Sequence, residues 1–292
     1  MSELTLRSNA KINLGLRIVG RRPDGYHLID TIFQEIDFSD VLTFSHKKGT
    51  GVELQCDDPA LPVDETNLCV RAYHLLAQQF PEMGAARISL DKRIPVGAGL
   101  GGGSSNAATT LLGLSKLLDL PVTETLLTTL AQKLGADVPF FLYGGIARGT
   151  GIGEEITPLP AALDRPIVLV IPEIRISTRW AYENVRYTLT KIVDENKFKG
   201  FFDNWEEDRR FTNVFEPLIV EQYSKIGEVR NRLLHLQADY VSLSGSGSAI
   251  FGIFPDEAAA DPAVAEFTGH YRCELVTPVH RDIPRMRSIF SE

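Results

Sequence analysis

The amino-acid sequence predicts a two-domain chain of mixed α+β type, on three observations. Residues 4–18 alternate apolar and polar side chains over the length of a long strand. A run of five glycines in seven residues, 97–103, separates a strand-like segment from a helix-like one. Pro158, Pro160 and Pro166 then mark a linker near residues 157–166, after which a second α/β pattern opens. The expected division is therefore 1–160 and 161–292.

Within residues 4–18, Leu4, Leu6, Ala10, Ile12, Leu14, Leu16 and Ile18 share one face. Thr5, Arg7, Asn9, Lys11, Asn13 and Arg17 share the other, the period of a half-buried strand. Arg21-Arg22-Pro23-Asp24-Gly25 is a turn, and strands are expected at 26–37, 41–44 and 51–56. A helix is expected at 66–80 and a strand at 87–91. After the glycines, 106–118 and 123–134 read as helices, with Thr123 as N-cap and Gly135 as the stop. A helix can restart at Pro139, and glycine-rich strands follow over 144–156. In the second segment, strands are expected at 168–171, 240–244 and 249–254, and helices at 177–187 and 217–236. Residues 197–211 mix charges with aromatics and show no assignable period.

Hydrophobic content of 43% and charged content of 23% describe a globular chain rather than a disordered one. A net charge of -8 argues against coating a nucleic acid polymer, but leaves room for a nucleotide bound by a few local donors. Cys56, Cys69 and Cys273 form no C-x-x-C pair, so neither a disulfide framework nor a zinc site is expected, and a cytoplasmic location is. Residues 1–8 lack a signal-peptide pattern, and no apolar run approaches the roughly 20 residues of a membrane helix, so no membrane partner is expected.

The run Pro95-Val96-Gly97-Ala98-Gly99-Leu100-Gly101-Gly102-Gly103-Ser104-Ser105-Asn106 is the chemical centre of the sequence. Glycines let backbone approach a ligand closely, and the following helix N-terminus offers free N–H groups and a dipole that favours anions. No lysine follows the glycines, which excludes a P-loop. Gly97, Gly99 and Gly102 satisfy the dinucleotide-binding pattern G-x-G-x-x-G, but residues 90–96 interrupt the strand that should feed it. Read alone, Lys11 is a solvated strand residue, Asp137 a helix N-cap, Tyr26 an edge-strand aromatic and His27 a surface histidine.

The glycine run with its Ser-Ser-Asn-Ala-Ala continuation closely resembles the ATP loop of the GHMP kinases, the galactokinase, homoserine kinase and mevalonate kinase group. Ala10-Lys11-Ile12-Asn13-Leu14 with Arg22-Pro23-Asp24-Gly25-Tyr26-His27, then Leu134-Gly135-Ala136-Asp137-Val138-Pro139-Phe140, then Ser244-Gly245-Ser246-Gly247-Ser248, resemble further motifs of that family in order. The resemblance implies a ribosomal-S5-domain-2-like nucleotide domain, a ferredoxin-like C-terminal domain, and an active site in the cleft between them. It implies ATP as co-substrate with Mg²⁺ and residues 95–106 on the nucleotide, while the sequence itself shows no protein-only metal cage. Lys11 would offset charge at the transferring phosphoryl group and Asp137 would take the acceptor's proton. Asn13, Tyr26, His27 and Tyr182 would bind the acceptor, with Trp180 the rival of Tyr182 as second stacking aromatic. The motifs are most like those members whose acceptor is a small cytidine-diphosphate sugar alcohol of the non-mevalonate isoprenoid route. A homoserine- or mevalonate-type kinase and a catalytically silent nucleotide sensor are the alternatives. Monomer and homodimer are both open.

Overall fold

The computed structural model describes residues 3–160, 163–187 and 211–291. The unassigned stretch 197–211 therefore lies outside the described residues except for Phe211. Strands β1 (Glu3–Arg21) and β2 (His27–Lys47) form a long antiparallel pair, closed by a turn in which Arg22 N–H donates to the Tyr26 carbonyl. The two strands expected at 26–37 and 41–44 are one. A register shift opposite Asn9 and Ala10 absorbs the polar residues between them without ending the pairing. Next come β3 (Val52–Cys56), α1 (Leu68–Gln79), β4 (Ala85–Asp91), α2 (Gly102–Leu117), α3 (Glu124–Leu134) and α4 (Phe140–Tyr143). Strands β5 (Ile146–Thr150) and β6 (Glu155–Pro158) complete the first sheet. Its order is β3-β4-β2-β5-β6, with β1 along the other edge of β2. Strand β2 is long enough that β5 pairs with residues 31–34 and β4 with residues 41–47.

The second sheet is β10-β7-β9-β8, antiparallel throughout, built from β7 (Ile167–Ile171), β8 (Tyr240–Leu243), β9 (Ile250–Ile253) and β10 (Arg272–Val276). Helices α5 (Thr178–Asn184), α6 (Glu216–Gln222) and α7 (Ser224–His235) lie between β7 and β8, and α8 (Glu257–Phe267) lies between β9 and β10. This is the βαββαβ order of a ferredoxin-like layer. The helix expected at 217–236 breaks at Tyr223, whose backbone leaves the helical region at φ -128°. Helix α8, β10 and α9 (Arg285–Ser291) carry no expectation above.

The middle of β1 turns Ala10, Ile12 and Leu14 to the second sheet, in a buried cluster with Leu169, Phe251 and Ile253. Leu6, ahead of the register shift, packs against the core of the first layer, so the expected single apolar face is divided between two layers. The polar face of β1 is buried too. Lys11 is 3% exposed and Asn13 1%, so the half-buried strand expected from alternation is enclosed on both sides in its middle. Helix α2 crosses that face, and the glycine loop closes over it.

After β10 the chain returns to the first layer. Thr277 donates from N–H and hydroxyl to the Asp37 carboxylate, both at 2.8 Å. Arg281 grips Glu35 with Nε at 2.7 Å and Nη2 at 2.6 Å, while Asn9 Nδ2 and Gly145 N–H supply further bonds to the same carboxylate. Arg285, fully buried, donates to the Arg7 carbonyl and the Thr109 hydroxyl. The tail thus ties β1, α2 and the residues after α4 together.

Burial pushes the Glu35 carboxyl up, but the Arg281 hydrogen bonds and charge outweigh it and hold it below its ordinary 4.5. A depressed carboxyl stabilises the fold above its unfolded pKa and loses that contribution as pH falls through the folded one. Glu35→Gln is expected to lower unfolding free energy at pH 7 by about 3 kcal/mol, by stranding Arg281. The gap from wild type should narrow once the pH drops below about 4. Urea unfolding at about pH 7 and about pH 3.5 measures both; a gap that does not narrow contradicts the assignment.

Candidate active site

The glycine loop is rooted by a buried ion pair. Lys92 Nζ donates to Asp40 Oδ2 at 2.8 Å, and Asp40 Oδ1 accepts from the Arg93 and Ile94 N–H groups, both at 2.7 Å. From there the chain crosses to the second sheet. Ala249 N–H donates to the Ala98 carbonyl at 3.1 Å, and Ser244 Oγ donates to the Gly99 carbonyl at 2.9 Å. Gly99 has φ +80°, and a Cβ there would stand 2.0 Å from the Ser244 carbonyl oxygen. Two constraints, handedness and space, therefore demand glycine.

Helix α2 begins at Gly102, four residues earlier than expected, with Gly101 as a left-handed N-cap. Glycine's poor helix propensity hides that first turn in the sequence. Ser105 N–H is the first to close an intrahelical bond, to the Gly101 carbonyl, so the amides of Gly102, Gly103 and Ser104 are the uncommitted donors of the first turn. Ser104 lines the cleft. Ser105 turns away from it: the Ser8 hydroxyl donates to Ser105 Oγ at 2.7 Å, deep in the first layer. Asn106 lines the cleft as well, and its Oδ1 is buried without a hydrogen-bond partner among the described residues. Val96, 60% exposed, stands at the loop's outer edge.

Lys11 reaches this loop from β1. Its ammonium donates to Asn13 Oδ1 at 2.6 Å and to the Gly99 carbonyl at 2.7 Å, with the Asp137 carboxylate 3.8 Å away and the Phe33 ring at 5.5 Å. Burial pushes the Lys11 pKa down, and Asp137 opposes that shift. Asp137 lies in the turn between α3 and α4. It does not cap α4: the N-cap is Pro139 and makes no side-chain bond, so the carboxylate is left to face Lys11.

Two cavities meet at Asp137. One, of about 430 Å³, is lined by the glycine loop, Lys11, Asn13 and the segment ahead of α1, including Asn67. The other, of about 910 Å³, is lined by Arg21, Tyr26, His27, Tyr182 and Tyr187. Asp137, Ile152, Thr178 and Tyr182 belong to both walls. Tyr182 stacks on His27 with ring centres 5.2 Å apart and planes 20° from parallel, and it is braced edge-on by Phe215 at 4.8 Å. Trp180, two residues earlier on α5, packs edge-on against Tyr223 and lines neither cavity. Tyr26 stands at the rim, 61% exposed. Burial and the Arg21 charge hold the His27 pKa below 6.5, so at neutral pH its ring offers one donor and one acceptor.

The structure thus brings Lys11, Asn13, Asp137, Tyr26, His27, Tyr182 and the loop to one cleft, and takes Ser105 out of its wall. Several lining residues escaped the sequence. Lys92 appears above only as an interruption of a strand. Thr178 carried no signal either; its hydroxyl lies 3.1 Å from that of Ser246, a residue of the 244–248 motif. Tyr187, edge-on to His27 at 5.5 Å, lies beyond the end of α5.

Gly97, also at positive φ, has open space where a Cβ would go. Gly97→Ala should cost about 1 kcal/mol for handedness alone, and Gly99→Ala about 3 kcal/mol because the carbonyl contact is added. Equal losses in denaturant unfolding would show that the Ser244 contact does not constrain the loop.

Comparison with known proteins agrees with this geometry. The family model for the GHMP kinases N terminal domain matches residues 67–145, and that for the GHMP kinases C terminal matches residues 195–273. A 4-diphosphocytidyl-2-C-methyl-D-erythritol kinase of Chlorobaculum parvum is 42% identical over 285 residues, spanning 95% of this chain and 98% of its own. One of Chloroherpeton thalassium is 41% identical, spanning 93% of this chain and 96% of its own. A crystal structure of 4-(cytidine 5'-diphospho)-2C-methyl-D-erythritol kinase superposes with a TM-score of 0.83 at 35% identity, covering 95% of this chain and all (100%) of that one. Homoserine kinase from Cytophaga hutchinsonii, at 18% identity and a TM-score of 0.74 over 96% and 95% of the two chains, shares the fold. The chain belongs to the GHMP kinases, and within them to the 4-diphosphocytidyl-2-C-methyl-D-erythritol kinase family.

Proposed function

We propose that this kinase transfers the γ-phosphoryl group of ATP to the 2-hydroxyl of 4-diphosphocytidyl-2-C-methyl-D-erythritol, in the non-mevalonate route to isoprenoid precursors. The observation that carries the reading is the position of Asp137, on the shared wall of a glycine-loop cavity and an aromatic cavity, 3.8 Å from Lys11. The amides of Gly102, Gly103 and Ser104 receive the nucleotide's phosphates. The aromatic cavity receives the cytidine: Tyr26 and Tyr182 offer faces for stacking, and His27 offers a donor and an acceptor to the base edge.

In the transfer, the bond from the γ-phosphorus to the bridging oxygen breaks as the acceptor oxygen forms a new bond to phosphorus. ADP leaves, and the acceptor's proton passes to Asp137 and then to solvent. Because the transition state is loose, Asp137 acts first by aiming the hydroxyl and only late as a base. Lys11 is held by two acceptors and keeps one N–H for the phosphoryl oxygens, where negative charge shifts during transfer.

Among the described residues no cluster of His, Cys, Asp or Glu side chains is built to hold a metal ion. Mg²⁺ would enter with the phosphates it binds, and the Ser104 hydroxyl on the cleft wall fits it. When bound, the ion neutralises charge across the β- and γ-phosphates. In the same reading the domains divide at residues 160 and 161, and the enzyme works in the cytoplasm. Three unpaired cysteines support that location, and among the described residues no helix is long and apolar enough to cross a membrane.

A panel of acceptors with ATP, read by mass detection of the product, tests the proposal. Phosphorylation of the diphosphocytidyl acceptor is expected, with none of homoserine or mevalonate, which have no base for the aromatic cavity. Asp137→Asn should cut turnover by about 100-fold or more while ATP still raises the melting temperature. Folded protein that fails to phosphorylate the cytidine acceptor contradicts the function, and an active Asp137→Asn enzyme contradicts the role of Asp137.

A further inference from the structure

The Lys11 ammonium can use Asn13 as an acceptor only if the amide presents its oxygen. Reversed, the amide would direct two N–H groups at three others. The direction is set one residue further back, on β2. Asn13 Nδ2 donates to Thr31 Oγ1 at 2.8 Å, and the Thr31 hydroxyl spends its single proton on the Gly15 carbonyl at 2.7 Å. With that proton committed, Thr31 offers Asn13 lone pairs only, and the amide must turn its NH₂ to Thr31 and its oxygen to Lys11.

Both ends of this chain are fixed. Leu16 N–H, in the same peptide plane as the Gly15 carbonyl, donates to the Thr212 carbonyl at 3.0 Å, so the Gly15 carbonyl is held where it is. At the other end the ammonium is a donor only. Thr31, Asn13 and Lys11 are 2%, 1% and 3% exposed, so water does not compete for any of the bonds. Thr31 pairs across the sheet with Gly149 and, being β-branched, has few rotamers to choose from, so the hydroxyl's aim at Gly15 is narrowly defined. Thr31 itself is absent from the lining of both cavities.

We propose that Thr31 is a positioning residue for phosphoryl transfer: through the Asn13 amide, its hydroxyl holds the Lys11 ammonium toward the junction of the two cavities. The proposal rests on Lys11 acting at the transferring group. Misplacing a group that stabilises the transition state lowers kcat more than it changes substrate binding.

The test is steady-state kinetics of Thr31→Val, Thr31→Ser, Asn13→Ala, Lys11→Met and the Thr31→Val/Asn13→Ala double variant, each checked for folding by thermal denaturation. Thr31→Val keeps the branched shape and loses the hydroxyl. It should lower kcat by roughly 10-fold with KM for ATP within about 2-fold, and Thr31→Ser should restore kcat. In the Asn13→Ala background, Thr31→Val should cost nothing further, because its effect travels through that amide. Wild-type kcat in Thr31→Val beside an inactive Lys11→Met overturns the role of Thr31 and leaves the catalytic reading standing. Losses that simply multiply in the double variant, or a Thr31→Ser enzyme as impaired as Thr31→Val, also overturn it. A fully active Lys11→Met overturns both.

Discussion

The carbonyl of Gly99 is the point on which the rest of the structure turns. It accepts from the Lys11 ammonium at 2.7 Å and from the Ser244 hydroxyl at 2.9 Å, in a space with no room for a side chain. One oxygen therefore joins the first strand, the glycine loop and the turn of the second sheet. Because the loop is pinned there, α2 starts where its first-turn amides open into the cleft. Because Lys11 is pinned there, its charge is carried into the interior at the place where phosphates would arrive.

A buried lysine is costly unless its donors are met. Here two of three are met by neutral oxygens, and the Asp137 carboxylate lies just beyond hydrogen-bond distance. A direct, short ion pair would satisfy the ammonium and close the site. The 3.8 Å separation leaves both groups oriented and incompletely paired, the condition under which each can act on a reacting atom between them. The two cavities make this useful. Each has its own chemistry, amide donors in one and aromatic faces in the other, and among the described residues they share the wall at Asp137, Ile152, Thr178 and Tyr182. The C-terminal tail supports the same arrangement from behind, since Arg281 binds β2 and Arg285 binds β1 and α2, which carry Lys11, Asn13 and the first-turn amides.

Much of this was legible in the residues, and the limits have physical causes. Alternation along residues 4–18 revealed a strand, but not that Lys11 would be buried, because the enclosing contact comes from a loop 88 residues away. The glycines announced a phosphate loop while masking the first turn of α2. Glycine stands at 102 despite its poor propensity because a Cβ there would lie 2.9 Å from the Ile94 side chain. Asp137 has the composition of an N-cap, but the turn places it on Lys11 instead, and only the tertiary fold decides between those uses. Tyr182 and Trp180, two residues apart on a helix, necessarily point in different directions, and sequence could not say which faced the cleft. Thr31 gave no signal at all: a threonine in a strand is ordinary, and its importance arises from a hydrogen bond across 18 residues.

The proposed function depends on the two cavities holding two different nucleotides with Lys11 and Asp137 between the reacting ends. The most direct measurement is a crystal structure with a non-hydrolysable ATP analogue and the diphosphocytidyl acceptor bound together. The arrangement predicts phosphates on the Gly102, Gly103 and Ser104 amides, cytosine against His27, Tyr26 and Tyr182, and the acceptor hydroxyl beside Asp137. ATP seated among the aromatics, or an acceptor hydroxyl turned away from Asp137, would contradict it.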